Sequence, residues 1–262
     1  PRDVLELPVM AAATRAVAGG RVRLQALVAE HPERETRRVI VYRREAGAYR
    51  GREAVVAPAD VPAVVEALAG GGGEETTRRD VLVCTHGRRD ACCGSRGTEL
   101  FAAAAALSPD PRLRWWRTSH TGGHRFAPTA VLLPEGQSWA YLDPPLLAGV
   151  LARAGEVPGR HFRGSAALPT PAVQAVEREA FVAQGWDWLS FARRGWEESP
   201  AGAAVTAVVE YRSPAGVHGT YRGRVRMARV LPVPDCGRPV EDATKSEPEL
   251  RVDSLAHERA ED

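Results

Sequence analysis

Two pairs of potential metal ligands constrain this chain more than any other feature. Cys84 and Cys93 are separated by eight residues, and His120 and His124 enclose the tripeptide Thr-Gly-Gly. Two thiolates and two imidazoles form the donor set of a tetrahedral zinc site, or of an iron–sulfur centre in which histidines replace two of the cysteines. The sequence therefore predicts a metal site, and the fold has to bring the two pairs together.

The cysteine pair lies where a strand gives way to a helix. Asp80–Cys84 is a short apolar run that we predict as a buried strand ending on its ligand. Ser95 is a suitable N-cap for a helix through Gly97–Leu107. Cys93 is then expected near the positive end of that helix, where backbone N–H groups stabilise a thiolate.

The histidine pair is predicted to lie on a loop. On a regular helix, His120 and His124 would share one face, but each of the two glycines between them costs a helix about 1 kcal/mol. The flanking runs Leu113–Thr118 and Thr129–Pro134 are rich in residues that favour strands. We therefore expect a strand–loop–strand element that presents both imidazoles.

Together these residues resemble a known family. The string Cys-Thr-His-Gly-Arg-Arg-Asp-Ala-Cys-Cys-Gly, followed later by His-Thr-Gly-Gly-His-Arg-Phe-Ala, is similar to the sucrase/ferredoxin-like family of thioredoxin-fold [2Fe–2S] proteins. In that family the patterns C-x8-C-G and H-x-G-G-H supply the cluster ligands, which the resemblance assigns to Cys84, Cys93, His120 and His124. It implies an α/β, thioredoxin-like ferredoxin fold and is close over residues 81–143.

The resemblance implies an electron carrier rather than an enzyme with substrate chemistry of its own. Such a carrier passes single electrons between a reductase and an acceptor protein. Two neutral imidazoles in place of two thiolates make the cluster less negative, so we expect a potential above that of all-cysteine ferredoxins.

Two other functions remain open at this point. Zinc accepts the same donors, which would make the protein a zinc-stabilised interaction module. A thiol oxidoreductase could use Cys84 with Cys92 or Cys93, although the usual C-x-x-C spacing is absent. Cys84 and His86 match the first ligand motif of a Rieske centre, C-x-H. The second motif, C-x-x-H, is absent, so we interpret His86 as a loop residue beside the site.

The remaining cysteines are expected to stay outside the site. Cys92 is adjacent to Cys93, but the eight-residue spacing and the following glycine favour Cys93 as the ligand. Cys236 is distant in sequence, and we expect it to be a bystander. Four cysteines, three of them crowded into the ligand region, do not form a plausible disulfide framework.

The order helix, three strands, helix occurs twice and predicts two tandem thioredoxin-like units. The first copy is predicted at Val4–Val17, Arg21–Ala29, Arg37–Arg43, Tyr49–Ala57 and Ala59–Leu68, and the second at Gly97–Leu107, Leu113–Thr118, Thr129–Leu133, Trp139–Leu142 and Pro145–Ala154. We expect residues 1–73 to form a unit without ligands that is truncated at its start. Residues 74–160 then form the cluster-binding unit.

The rest of the chain is predicted as an extension and a tail. Residues 161–239 contain a helix at Pro171–Gln184 and a hairpin of Ala203–Arg212 with His218–Val230. Residues 240–262 are acidic and contain proline, so a disordered tail is expected there.

Charge and hydropathy exclude two classes of partner. The formal net charge is +2, with basic and acidic residues interleaved, which argues against nucleic-acid binding. No apolar run approaches the roughly 20 residues that cross a bilayer, so we expect no membrane association and a cytoplasmic location. Arg88, Arg89 and Arg125 flank the ligands and could form a positive rim that docks an acidic partner.

Overall fold

A computed structural model describes residues 7–16, 23–28, 35–45, 48–87, 91–104, 106–107, 110–198 and 204–260. Within these ranges the helices are α1 (Leu7–Ala16), α2 (Val61–Ala69), α3 (Ala91–Ala104), α4 (Pro144–Ala152) and α5 (Pro171–Gln184). Two of these helices begin after a residue whose side chain caps the helix. Asp143 accepts a hydrogen bond from the Leu146 N–H at the start of α4, and Thr170 accepts one from the Val173 N–H at the start of α5.

The strands of the described ranges form three sheets. They are β1 (Leu27–Val28), β2 (Arg37–Glu45), β3 (Ala48–Val56), β4 (Glu74–Glu75), β5 (Arg79–Cys84), β6 (Leu113–Thr118), β7 (Ala130–Leu133), β8 (Gln137–Trp139), β9 (Phe162–Ser165), β10 (Ala192–Glu197), β11 (Ala204–Arg212), β12 (His218–Val233) and β13 (Lys245–Ala260).

The largest sheet has the order β1-β6-β5-β7-β8-β9. Strands β5 and β6 are parallel and joined by α3, β7 is antiparallel to β5, and β8 is antiparallel to β7 and leads into α4. A βαβ unit followed by a hairpin and a helix, with β5 and β7 in the middle, is a thioredoxin-like arrangement. The predicted α/β fold class is confirmed, and both predicted cysteine ligands border the connection from β5 to α3.

The first unit is built differently from the expected repeat. Helices α1 and α2 and strands β2 and β3 occur close to their predicted positions and pack around a small core of Ala12, Ala13, Val39, Val65 and Leu68. Of the predicted strand Arg21–Ala29, only Leu27–Val28 is strand among the described residues, and it pairs with β6 instead of joining β2. The two halves therefore share the large sheet, and the division at residue 73 stays a prediction.

The second sheet, β10-β11-β12-β13, packs on α5 and continues the main core. Helix α5 has the predicted bounds, and β11 and β12 form the predicted hairpin. Strand β9, which follows the expected boundary at residue 160, pairs with β8 of the large sheet. The extension is thus continuous with the large sheet.

The expected disorder beyond Val240 is wrong. Lys245–Ala260 forms β13, a 16-residue strand paired with β12 along most of its length. Its acidic residues lie against arginines of β12: Arg226 Nε is 2.7 Å from Asp253 Oδ2, and Arg229 pairs with Glu249. Backbone hydrogen bonds hold β13 to β12, and Leu250 and Val252 of β13 pack against the main core.

A buried ion pair lies in the part of the main core that surrounds α5, which we call the α5 core. Glu177 of α5 is fully buried, and its carboxylate is 3.3 Å from the guanidinium of Arg193, which is also buried. Burial raises the pKa of Glu177, while the positive charge of Arg193 opposes that rise. The Ser165 N–H donates to the same carboxylate and connects α5 to β9.

None of the helices in the described ranges combines the length and the apolarity that crossing a membrane would require.

Candidate metal centre

The two predicted cysteine ligands are buried on either side of the β5–α3 connection. Cys84 is the last residue of β5 and Cys93 is the third residue of α3, and each side chain is 1% exposed. Helix α3 begins at Ala91, earlier than predicted, so Ser95 is not its cap. The Ser95 hydroxyl instead donates to the Ala91 carbonyl at 3.1 Å, and Cys93 lies in the first helical turn.

Glycines allow α3 to approach the Cys84 loop. A Cβ atom added at Gly97 would lie 1.9 Å from the Cys84 carbonyl oxygen, and one added at Gly94 would lie 2.5 Å from the Gly87 Cα. No other residue type fits these contacts without movement of the backbone. The glycine that follows Cys93 therefore has a packing role in holding the two cysteines together.

The histidine segment is a loop, as predicted. His120 lies two residues after the end of β6, Gly122 and Gly123 have φ values of 92° and 71°, and a short 3₁₀ turn spans His124–Phe126. Positive φ is costly for residues with a Cβ, so the two glycines set the path of the chain. The side chain of His124 lies outside the described part of the structure.

Three of the four predicted ligands converge. One donor atom from each of Cys84, Cys93 and His120 lies within 4.8 Å of the other two. We call these three residues the Cys–His site. Cys84 ends a strand, Cys93 lies in the first turn of a helix, and His120 lies on a loop. They meet because β5 and β6 are parallel neighbours, so the residues that follow these strands lie at the same edge of the sheet.

The surroundings of Cys84 favour its thiolate. Hydrogen bonding with the Cys93 side chain lowers the pKa of the Cys84 thiol to about 3, against the opposing effect of burial. His120 and the backbone N–H groups of His86 and Thr121 also contribute to this lowered pKa. A deprotonated sulfur surrounded by amide donors is the form that binds metal.

Other parts of the chain hold the histidine loop in place. The Gln25 side-chain amide lies 2.9 Å from the Ser119 hydroxyl, and the Ser119 N–H donates to the Ala26 carbonyl at 3.0 Å. Arg163 of β9 donates to the Gly122 carbonyl at 3.2 Å. The segment just before β1 and the edge strand β9 thus hold this loop in position.

Two arginines place positive charge beside this loop. The guanidinium carbons of Arg125 and Arg163 lie 4.5 and 4.3 Å from the centre of the Phe126 ring, and Arg125 forms an ion pair with Glu247 at 3.0 Å. Burial lowers the pKa of Arg163, which electrostatic interaction with Glu247 partly offsets. The predicted rim residues Arg88 and Arg89 lie outside the described residues.

Cys236 is not a bystander. It forms a disulfide with Cys92, 144 residues away in sequence, with 6.2 Å between the two Cα atoms. Local spacing carries no signal for such a distant pair, which explains why the expectation of four unpaired cysteines was wrong. Because Cys92 is bonded to Cys236, it differs from Cys84 and Cys93, which are not disulfide-bonded.

The sequence of the chain matches a known protein family. The sequence model of the sucrase/ferredoxin-like family matches residues 5–164, more than half of the chain. The chain belongs to the sucrase/ferredoxin-like family. No curated protein matches it. Among solved structures, it is similar to a thioredoxin-like [2Fe–2S] ferredoxin from Aquifex aeolicus, with 19% identity and a TM-score of 0.30 over 36% of this chain and 96% of that one.

The donor set fits a metal centre. The sulfurs of Cys84 and Cys93 are buried, backbone N–H groups stabilise the Cys84 sulfur, and an imidazole nitrogen of His120 lies within 4.8 Å of both sulfurs. Thiolate and imidazole donors suit zinc and iron–sulfur clusters better than the oxygen-seeking ions magnesium and calcium.

Proposed function

We propose that this protein is a [2Fe–2S] electron carrier whose cluster is bound by Cys84, Cys93, His120 and His124. The observation that carries the proposal is the convergence of two buried thiols and one imidazole within 4.8 Å, inside the segment that matches the family. His124 completes the set through its place in the H-x-G-G-H motif.

The residues of the chain would prepare the site for this role. The amides of His86 and Thr121 stabilise negative charge on the Cys84 sulfur, and burial of both cysteines excludes water from their side. A bound cluster would supply one-electron redox chemistry, and its imidazole ligands would raise its potential relative to four thiolates.

The proposal includes two redox partners, a reductase and an electron acceptor, and the cytoplasmic location expected from the sequence. His120 is half-buried, whereas Cys84 and Cys93 are almost inaccessible. Electrons would therefore enter and leave on the histidine side, and we expect partners to dock there.

The test is the visible absorption of the full chain purified without oxygen, together with iron, sulfide and zinc analysis. We expect a red-brown protein with equal amounts of iron and acid-labile sulfide. A colourless protein with stoichiometric zinc would instead establish the interaction module. A protein without metal, with a reducible Cys84–Cys93 pair, would establish the thiol oxidoreductase.

Serine variants identify the cysteine ligands. Cys84→Ser and Cys93→Ser should each abolish the visible chromophore, because each removes a thiolate from the Cys–His site. Cys92→Ser is the matched control and should keep the colour, since Cys92 is bonded to Cys236. Colour retained in Cys93→Ser and lost in Cys92→Ser would contradict the assignment.

A further inference from the structure

The disulfide between Cys92 and Cys236 joins two parts of the fold that are far apart in sequence. Cys92 lies in the first turn of α3, next to Cys93, and Cys236 lies in the connection between β12 and β13. The separation of 6.2 Å between their Cα atoms is within the range that disulfides span. The bond therefore attaches the C-terminal hairpin to the helix that carries Cys93.

This disulfide borders a cavity of about 260 Å³. Both cysteines are half-buried and contribute to its lining. The same cavity is lined by Arg96, Arg125 and Arg238, with Asp235 as an acidic member. We call it the arginine-lined cavity.

The positive charge around this cavity favours binding of a small anion. Arg96 and Arg238 are exposed, and the Asp235 carboxylate is 3.5 Å from the Lys245 ammonium group, which offsets its negative charge. Guanidinium groups bind carboxylates through paired hydrogen bonds. The volume is just below the roughly 300–1,000 Å³ of typical ligand pockets, so the cavity accommodates a small molecule or part of one.

We propose that Cys92 and Cys236 form a thiol–disulfide exchange site for low-molecular-weight thiols that carry carboxylates. The site requires no metal and goes beyond the electron-carrier function. It places a two-electron couple beside the residue that we assign as a one-electron cluster ligand.

The exchange reaction balances in two steps. A small thiolate attacks Sγ of Cys236, the bond to Cys92 breaks, and Cys92 leaves with the electron pair and takes up a proton. A second small thiolate attacks the small-molecule sulfur of the mixed disulfide and releases Cys236. Two small thiols are oxidised to their disulfide while the protein disulfide is reduced to two thiols, and the small disulfide reverses the reaction.

Cys236 is the sulfur expected to be attacked first. Both sequence neighbours of Cys236, Asp235 and Gly237, are exposed, whereas Cys92 lies between exposed Ala91 and Cys93, which is 1% exposed. An incoming thiolate therefore has more open access to Cys236.

The experiment incubates the full chain in glutathione buffers of varying oxidised-to-reduced ratio and then alkylates it for peptide mass spectrometry. We expect Cys92 and Cys236 to become alkylated together as the buffer becomes more reducing, with one shared midpoint. Cys92→Ser should trap a glutathione adduct on Cys236. Alkylation of both residues at every ratio, or a bond that resists glutathione until the chain unfolds, would overturn the proposal.

A charge variant tests the class of thiol. Changing both Arg96 and Arg238 to Gln should slow reduction by glutathione, which carries two carboxylates, about fivefold, and leave reduction by uncharged 2-mercaptoethanol unchanged. Arg229→Gln, on β12 outside the cavity, is the matched control and should have no effect on either rate. An equal loss of rate with both thiols would reject recognition of carboxylates. The visible spectrum, which reports the Cys–His site, is recorded separately, so failure of either proposal is recognised independently.

Discussion

The Cys–His site and the α5 core are stabilised by different means. At the site, backbone atoms approach closely through glycines, and hydrogen bonds from Gln25 and Arg163 fix the histidine loop. Around α5, large buried side chains such as Trp188 and Phe181 pack together and enclose the Glu177–Arg193 ion pair. The difference indicates that changes at the site should affect metal binding more than stability, and changes around α5 the reverse.

The largest effect is expected from breaking the ion pair in the α5 core. Glu177→Ala should lower the free energy of unfolding by about 3–5 kcal/mol, because it leaves the Arg193 guanidinium buried without its partner. Urea denaturation monitored by tryptophan fluorescence measures this change. The metal content of the folded fraction should stay that of the wild type.

A double variant serves as the control for that measurement. Replacing Glu177 by Leu and Arg193 by Met removes both charges and should recover most of the lost stability. A loss below about 1 kcal/mol for Glu177→Ala, or an equal loss in the double variant, would contradict the role assigned to the pair.

A smaller loss of stability, but a large loss of metal, is expected at Gly97. The added Cβ of Gly97→Ala would collide with the Cys84 carbonyl and displace α3, which should cost about 1–3 kcal/mol. Displacing α3 moves Cys93 away from Cys84, so metal content per folded chain should fall strongly. Ser95→Ala, an exposed position on the same helix, is the control and should keep its metal. Full metal content in Gly97→Ala would show that the close approach is not required.

The smallest effect is expected at Arg163. Its positive charge beside the histidine loop should stabilise the reduced cluster, which carries one more negative charge than the oxidised form. Arg163→Gln should therefore lower the reduction potential, by about 30–60 mV, or roughly 1 kcal/mol for one electron. Protein-film voltammetry measures the shift, and the exposed Arg160→Gln is the control. A raised or unchanged potential would contradict the electrostatic argument.

Local patterns in the sequence predicted most of the elements that build the site. The apolar run before Cys84 is β5, the paired glycines mark a loop with positive φ, and α5 has its predicted first and last residues. Each of these features depends on residues close together in the chain. The C-x8-C-G and H-x-G-G-H spacing then selected three residues that the fold brings within 4.8 Å.

The features that were missed depend on distant partners. Strand β13 is mostly polar and exposed, and it forms by pairing along β12, which places Leu250 and Val252 against the main core. The start of α3 was misplaced because the Ser95 hydroxyl can either cap a helix or bond to a carbonyl one turn earlier, and only the packing of α3 decides between these. The Cys92–Cys236 bond likewise requires the three-dimensional position of both residues.

The pairing of β1 with β6 limits how early the chain can fold during its synthesis on the ribosome. Gln25, which contacts the residues just before His120, is 93 residues ahead of Thr118. At about 5–20 residues per second, that interval takes roughly 5–19 s to translate. During this time β1 has no strand to pair with. The histidine loop follows β6 in the chain, so it reaches its final position only after β5, α3 and β6 have been synthesised. The Cys–His site is therefore completed only after β6 has paired with the early segment around Gln25. Insertion of the proposed cluster would follow translation of the large sheet.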